Sequence, residues 1–318
     1  MINRRCFLGA ALAAGTTTLL PIAGAQQTAG GPVLPSPGFR RTRIGAMDVI
    51  AINDGVLRRP LGEEFVRNAP LDQVRELLAS QGLSTAHVDI PFTPFLIVHG
   101  AHRVLIDTGF ADNGPPTTGR LLENMAAAGF KPDDITHVVI SHYHGDHING
   151  LRFKNGNLVY PRARVMVPAP EHAFWTDPAR VANPPESLKG AIGAVRRALG
   201  DLPASQLVVF NPGDTIVPGI TSIPAFGHTP GHTLFTATSE GRSFIYVADL
   251  TNVPALFARN PDWAVVFDMD AEMARQTRRK VFEMIVRDRM IAGGFHFPFP
   301  AMGTIAASGQ GYQFTPMA

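Results

Sequence analysis

The sequence predicts an α/β (α+β) protein in which stacked β-layers are covered on the outside by helices. Short apolar runs of strand length fall into two blocks along the chain, and segments with a helical period accompany each block. The 31 glycines and 27 prolines among 318 residues are scattered, as many short connections require. Hydrophobic content of 45% against 17% charged residues supplies ample material for a core.

The amino-terminal stretch stands apart from this pattern. Met1-Ile2-Asn3-Arg4-Arg5 is basic, residues 7–20 are mostly apolar or small, and Ala23-Gly24-Ala25 offers a cleavage site. Residues 1–25 therefore read as a secretory signal, and Arg4-Arg5 before Cys6-Phe7-Leu8 resembles the twin-arginine type, which implies a periplasmic or secreted enzyme. The apolar run falls short of the ~20 residues of a membrane span, which disfavours a retained anchor. Residues 26–38 form a Pro/Gly-rich linker, and residues 39–318 the domain. Loss of Arg4 and Arg5 leaves 26 basic against 26 acidic residues. A net charge of zero points to no nucleic-acid or anionic-membrane partner. Cys6 is the sole cysteine, so the mature chain has neither disulfides nor thiolate ligands. Any metal must be held by His, Asp or Glu.

Within the domain, residues 43–47 and 49–52 flank a hairpin that ends at the turn Asn53-Asp54-Gly55. Apolar positions 71, 74, 77 and 78 have a helical period over 71–81, with Gly82 as C-cap. Residues 95–99 and 103–107 form a second hairpin, and 118–128 a helix closed by Gly129. A buried strand over 138–140 follows, then a strand over 164–167, a short helix over 170–175 and another over 187–199. Strand-like runs recur at 207–210, 220–224, 233–238 and 243–248. Residues 270–290 make the longest helix, with Asp268 or Asp270 as N-cap. The apolar run 290–292 leads into Phe295-His296-Phe297.

The strand at 138–140 delivers Ser141-His142-Tyr143-His144-Gly145-Asp146-His147. Imidazole nitrogen and carboxylate oxygen are ligands that zinc and its neighbours accept. His142 and His144 point the same way if the chain stays extended, because side chains alternate. Asp146 and His147 follow a glycine that allows a sharp turn. These four residues could fill one tetrahedral site or begin two adjacent ones. Gly227-His228-Thr229-Pro230-Gly231-His232, Asp249 at the end of an apolar strand, and His296 after the last one supply further ligands. Spacing alone does not choose between His228 and His232.

HxHxDH at 142–147, GHTPGH at 227–232, Asp249 and the late His296 together resemble the metallo-β-lactamase superfamily over essentially the whole mature chain. That resemblance implies an αββα sandwich, two mixed sheets flanked by helices, with a dinuclear site along one edge. It implies that His142, His144 and His228 bind one divalent metal ion, that Asp146, His147 and His296 bind the other, and that Asp249 bridges. Asp146 and Asp249 would be the catalytic carboxylates, Asp107 a residue orienting the ligands, and His232 a structural histidine. Zinc is the expected metal, with manganese, cobalt or iron as alternatives. Relatives of this kind are often homodimers.

Within the superfamily the sequence resembles methyl parathion hydrolase and related exported lactone and aryl-ester hydrolases. The signal peptide, Tyr246-Val247-Ala248-Asp249-Leu250, Thr277-Arg278-Arg279 and Gly294-Phe295-His296-Phe297-Pro298 carry this narrower resemblance. It places Trp175 in the aromatic wall of a substrate pocket, beside an equally simple reading as a core residue. Acyl-homoserine lactonases carry a tyrosine three residues after the bridging aspartate, where this chain has Asn252. That departure argues against signal-lactone chemistry relying on such a phenol, and Asn252 is expected to tune substrate choice.

Two ions ~3.5–4 Å apart can share a hydroxide at neutral pH and clamp a polarised oxygen. The expected activity is hydrolysis of uncharged small molecules: lactones, aryl esters and organophosphate triesters. Alternatives are an acyl-homoserine lactonase, a thioesterase, a β-lactamase or a mononuclear iron persulfide dioxygenase. No G-x-S-x-G elbow or phosphate-cradling glycine loop is present.

Overall fold

Two mixed seven-stranded sheets and a separate two-stranded ribbon account for the strands of the computed structural model, which describes residues 31–317. The expected signal, residues 1–25, and the start of the linker lie outside the described residues. In chain order the strands are β1 (Phe39–Ile44), β2 (Met47–Ile52), β3 (Gly55–Pro60), β4 (His87–Phe92), β5 (Phe95–His99), β6 (His102–Ile106), β7 (His137–Val139) and β8 (Arg164–Pro168). They continue with β9 (Leu207–Phe210), β10 (Thr215–Val217), β11 (Ile220–Pro224), β12 (Thr233–Ser239), β13 (Arg242–Tyr246), β14 (Ile291–Gly293), β15 (Met302–Ser308) and β16 (Gly311–Pro316). One sheet runs β1-β2-β5-β6-β7-β8-β9, the other β10-β11-β12-β13-β14-β15-β16, and β3 pairs only with β4. This is the αββα sandwich that the sequence resemblance implies.

Side-chain alternation divides the first sheet between two cores. Val49, Ala51, Val104, Ile106, Val139 and Met166 face the second sheet, in one buried cluster with Phe235, Phe244 and Ile245. Their neighbours Ile50, Ile52, Leu105, Val138, Ile140, Val165 and Val167 face outward, among residues of the helices Leu121–Ala127 and Lys189–Leu199. A strand buried on both faces has no polar face to show, which is why 138–140 reads as an unbroken apolar run. The longest helix, Ala271–Arg287, buries Ala274, Arg278, Val281, Phe282 and Ile285. Among the described residues, no helix is long and apolar enough to cross a membrane.

Several boundaries differ from the sequence reading for local reasons. The first hairpin turns at Gly45-Ala46, where Gly45 adopts φ +56°, and not between residues 47 and 49. Asp270, not Asp268, caps the long helix, accepting the Met273 N–H at 3.0 Å. The helix expected at 118–128 spans Leu121–Ala127, because the N–H groups of Phe110, Gly119 and Leu121 are drawn onto the buried Asp54 carboxylate. Burial pushes that carboxyl up to about 6.

Met125, fully buried beneath β1 and β2, tests the outer core without touching the metal-ligand residues. Met125→Ala should destabilise the fold by about 2–5 kcal/mol, read as a shift in the urea midpoint. An unchanged midpoint would place this helix outside the cooperative core.

Candidate metal centre

Four strand ends meet at one edge of the sandwich. β6 pairs in parallel with β7, and β13 with β14, so within each pair the carboxyl ends point the same way. Asp107 follows β6, residues 141–147 follow β7, and Asp249 and His296 lie three residues beyond β13 and β14. His142 and His144 do face one point, while Tyr143 between them turns into the outer core. Gly145 opens a helical turn, Gly145–Ile148, so Asp146 and His147 come from a helix and not from a simple bend. The 227–232 loop presses against the start of the long helix. At Gly227, with φ +124°, a Cβ would lie 2.2 Å from the Ala274 nitrogen.

The side chains form two clusters that share one carboxylate. Atoms of His142, His144, His228 and Asp249 lie within 4.8 Å of one another, as do those of Asp146, His147, Asp249 and His296. His144 Nδ1 is 3.1 Å from His142 Nε2 and 3.0 Å from His228 Nε2. His228 Nε2 lies 3.3 Å from Asp249 Oδ2. In the other cluster, His147 Nε2 is 3.4 Å from Asp146 Oδ2 and 3.1 Å from Asp249 Oδ1, and His296 Nε2 is 3.0 Å from Asp249 Oδ2. Ligands of a tetrahedral zinc, each about 2 Å from the metal, sit roughly 3.3 Å apart. His147 Nε2 and Asp249 Oδ1 are buried with no hydrogen-bond partner, a state that a cation between them would relieve. The donor set fits two divalent ions, and the chain carries a two-metal centre.

The nitrogen facing away from the cluster is anchored in four of the five imidazoles, which fixes ring orientation. Asp107 accepts from His147 Nδ1 (2.8 Å), the Ser141 N–H and hydroxyl (2.8 and 2.7 Å), and the Tyr246 hydroxyl (2.7 Å). Its backbone is left-handed, φ 61°, a strained state that these bonds hold. Ser141 Oγ lies 3.0 Å from His142 Nδ1. His228 Nδ1 donates to Asp268, which Arg278 also engages, and His296 Nδ1 donates to the Pro91 carbonyl. His232 belongs to neither cluster. Its Nδ1 bonds the Ala225 carbonyl and its Nε2 accepts the Asp249 N–H, so it positions Asp249 through the backbone.

Charge is distributed to match. Burial alone would raise the Asp249 carboxyl, but His296, His147 and His228 reverse this and hold it well below the usual range. Burial lowers His142 far below normal and takes His144 and His232 to about 3. It would lower His228 too, yet Asp249 and Asp268 lift it to about 9.

A cavity of about 340 Å³ opens onto His144, Gly145, Asp146, Asp249 and His296, and is otherwise walled by Leu57, Ile90, Phe92, Phe110, Phe267 and Asn252. A larger one, about 530 Å³, also reaches His296 but none of the other ligand-type residues at this edge. Trp175 lines neither. It is 1% exposed, its ring stands 6.5 Å from that of His144, and its indole N–H is bound by Glu171 at 2.7 Å. Of the two readings of Trp175, a pocket wall or a core residue, its burial and the absence of its side chain from both cavities favour the core residue. Sequence reading also passed over the aromatic wall, Glu171 and the role of Asp268; an aspartate just ahead of a helix looked like a cap.

The model of the metallo-β-lactamase superfamily matches residues 93–286. The chain belongs to that superfamily. Among solved structures, AidC, a dizinc quorum-quenching lactonase in complex with a product, N-hexnoyl-L-homoserine, superposes with a TM-score of 0.82 at 27% identity, covering 88% of this chain and 98% of that one. AbOPH, a hydrolase of the beta lactamase superfamily, gives the same score and identity over 90% and 99%. An N-acyl homoserine lactonase of Bacillus sp is 23% identical over 225 residues, 64% of this chain and 80% of its own length. The two-cluster centre on this fold makes the protein a metallohydrolase. AidC, a dizinc lactonase, and the Bacillus enzyme, an acyl-homoserine lactonase, overturn the narrower resemblance to methyl parathion hydrolase. Among the features behind it, Tyr246 bonds Asp107, Arg278 holds three backbone carbonyls and Asp268, and Phe295 and Phe297 are core.

Asp268→Asn removes a charged partner from His228 Nδ1. It should weaken metal binding by about 10–100-fold in chelator competition, while unchanged affinity would show that His228 needs no such anchor.

Proposed function

We propose that the protein hydrolyses uncharged lactones and esters bearing an apolar substituent, acyl-homoserine lactones among them. His142, His144 and His228 would hold one ion and Asp146, His147 and His296 the other, with Asp249 belonging to both clusters. The cavity carries this reading: beyond the ligand-type residues its walls are aliphatic or aromatic except for Asn252, with no lysine or arginine to receive an anionic group. AidC and the Bacillus enzyme, both lactonases, support it.

When bound, the two ions supply hydroxide near neutral pH and polarise the carbonyl. The chain's residues do the rest. Asp249 directs Oδ1 toward His147 and Oδ2 toward His228 and His296, so one carboxylate sets the distance between the two halves. Phe92, edge-on to Phe110 at 5.0 Å and to His296 at 5.5 Å, supports an apolar group beside the reacting carbonyl and excludes water. An aryl oxide leaves readily without a dedicated acid, whereas the alkoxide released when an alkyl lactone opens takes up a proton from water. Organophosphate triesters, likewise uncharged, are secondary substrates on this reading.

Asn252 replaces the phenol of acyl-homoserine lactonases with an amide. It is 3% exposed, lines the cavity, and its Oδ1 has no hydrogen-bond partner. We read it as the acceptor for a substrate amide N–H, which recovers specificity without the phenol.

A panel of dihydrocoumarin, phenyl acetate, an acyl-homoserine lactone, paraoxon, a glutathione thioester and a β-lactam tests the reading. Lactones and aryl esters should turn over, and a chelator should abolish the activity. Chelator-insensitive turnover, or turnover of the thioester or β-lactam alone, would overturn it. Asn252→Ala should cut kcat/KM for the acyl-homoserine lactone about tenfold and spare dihydrocoumarin, which has no amide. Equal losses on both would remove the amide role.

A further inference from the structure

Glu171 is fully buried, on the first turn of the helix Ala169–Trp175, and lies in neither ligand cluster. Its two oxygens accept four hydrogen bonds. Oε1 takes the Tyr143 N–H at 2.8 Å and the Trp175 indole N–H at 2.7 Å. Oε2 takes the Thr229 hydroxyl at 2.8 Å and the Gly231 N–H at 2.7 Å. Tyr143 lies between His142 and His144, and Thr229 follows His228, so this carboxylate is fastened to both loops that supply the three imidazoles of one cluster. The indole that it holds is the ring standing against His144. A Cβ at Gly231 would come within 2.1 Å of the Glu171 nitrogen, so the approach depends on glycine there. Among the described residues nothing comparable ties Glu171 to Asp146 or His296, and His147 is oriented by Asp107 instead.

We propose that Glu171 is a positioning residue that sets the His142–His144–His228 half of the centre independently of the other half. A buried carboxylate is costly unless its oxygens are saturated, and here each meets two donors. Its negative charge lets four donors converge where no neutral side chain of the same shape could receive them. Glutamine offers one acceptor oxygen and places its NH₂ against two donors. Of these the Thr229 hydroxyl can turn to accept, but the Gly231 N–H cannot.

The inference rests on the two-metal reading of the site and not on the substrate. The test is stepwise metal release from Glu171→Gln under graded chelator, followed by elemental analysis and by the visible spectrum of the cobalt-loaded protein. One ion should be held about 10–100-fold more weakly and the other at wild-type affinity, with only one component of the cobalt spectrum altered. Activity should recover at high added metal. Thr229→Val, which removes one donor and keeps the carboxylate, should weaken the same ion by less, and covers the case in which Glu171→Gln does not fold. Met125→Ala serves as the control for general destabilisation and should bind both ions normally. Two ions held at wild-type affinity in both variants, or both ions weakened equally, would overturn the proposal. A wild-type protein that binds fewer than two ions would instead overturn the two-metal reading itself.

Discussion

Ionised carboxylates without water must find donors inside the protein, and that requirement organises this edge of the sandwich. Asp107, Glu171, Asp249 and Asp268 are all at most 5% exposed. Asp107, Glu171 and Asp268 have both oxygens hydrogen-bonded by groups from distant parts of the chain, so each acts as a cross-link, whereas Asp249 keeps one oxygen without a partner at the metal centre. Asp107 joins the β7 loop to Tyr246 on the opposite sheet. Asp268 joins His228 to the long helix through Arg278. The arrangement is rigid because none of these groups can leave its partners without exposing a charge to a medium that does not solvate it. A two-metal centre benefits directly, since its ligands are held apart at defined separations before any ion enters.

Ligand residues were legible in the sequence because they are clustered in the chain and set off by apolar strands. His142, His144, Asp146 and His147 fall within six positions, directly after a run buried on both faces. Residues that orient the ligands were harder to read. Glu171 sits 24 residues beyond His147 in an ordinary amphipathic turn, and only tertiary contact reveals its four donors. Asp268 imitates a helix cap, because a buried ion pair and a cap place the same residue type ahead of a helix.

The ribbon formed by β3 and β4 was missed for another reason. Arg58, Arg59 and Pro60 in one strand and Pro91 in the other interrupt the apolar alternation on which strand reading depends. Its strands pair only with each other, so it tolerates residues that an interior strand of a sheet would reject. Trp175 illustrates the converse. The family resemblance allows it either a pocket wall or a core place, and only the buried ring with its indole N–H on Glu171 decides for the core.

The ribbon's position separates two tasks. Leu57, Ile90 and Phe92 shape the cavity from an element that belongs to neither sheet, whereas every ligand-type residue stands in a loop at a sheet end or in the helical turn Gly145–Ile148. Natural variation can therefore redraw the cavity by changing side chains on β3 while the metal geometry stays intact. β4 has less latitude, because the Pro91 carbonyl that orients His296 is part of its backbone. Diversification of substrate range in such a protein would run along one strand of the ribbon and stop at the other.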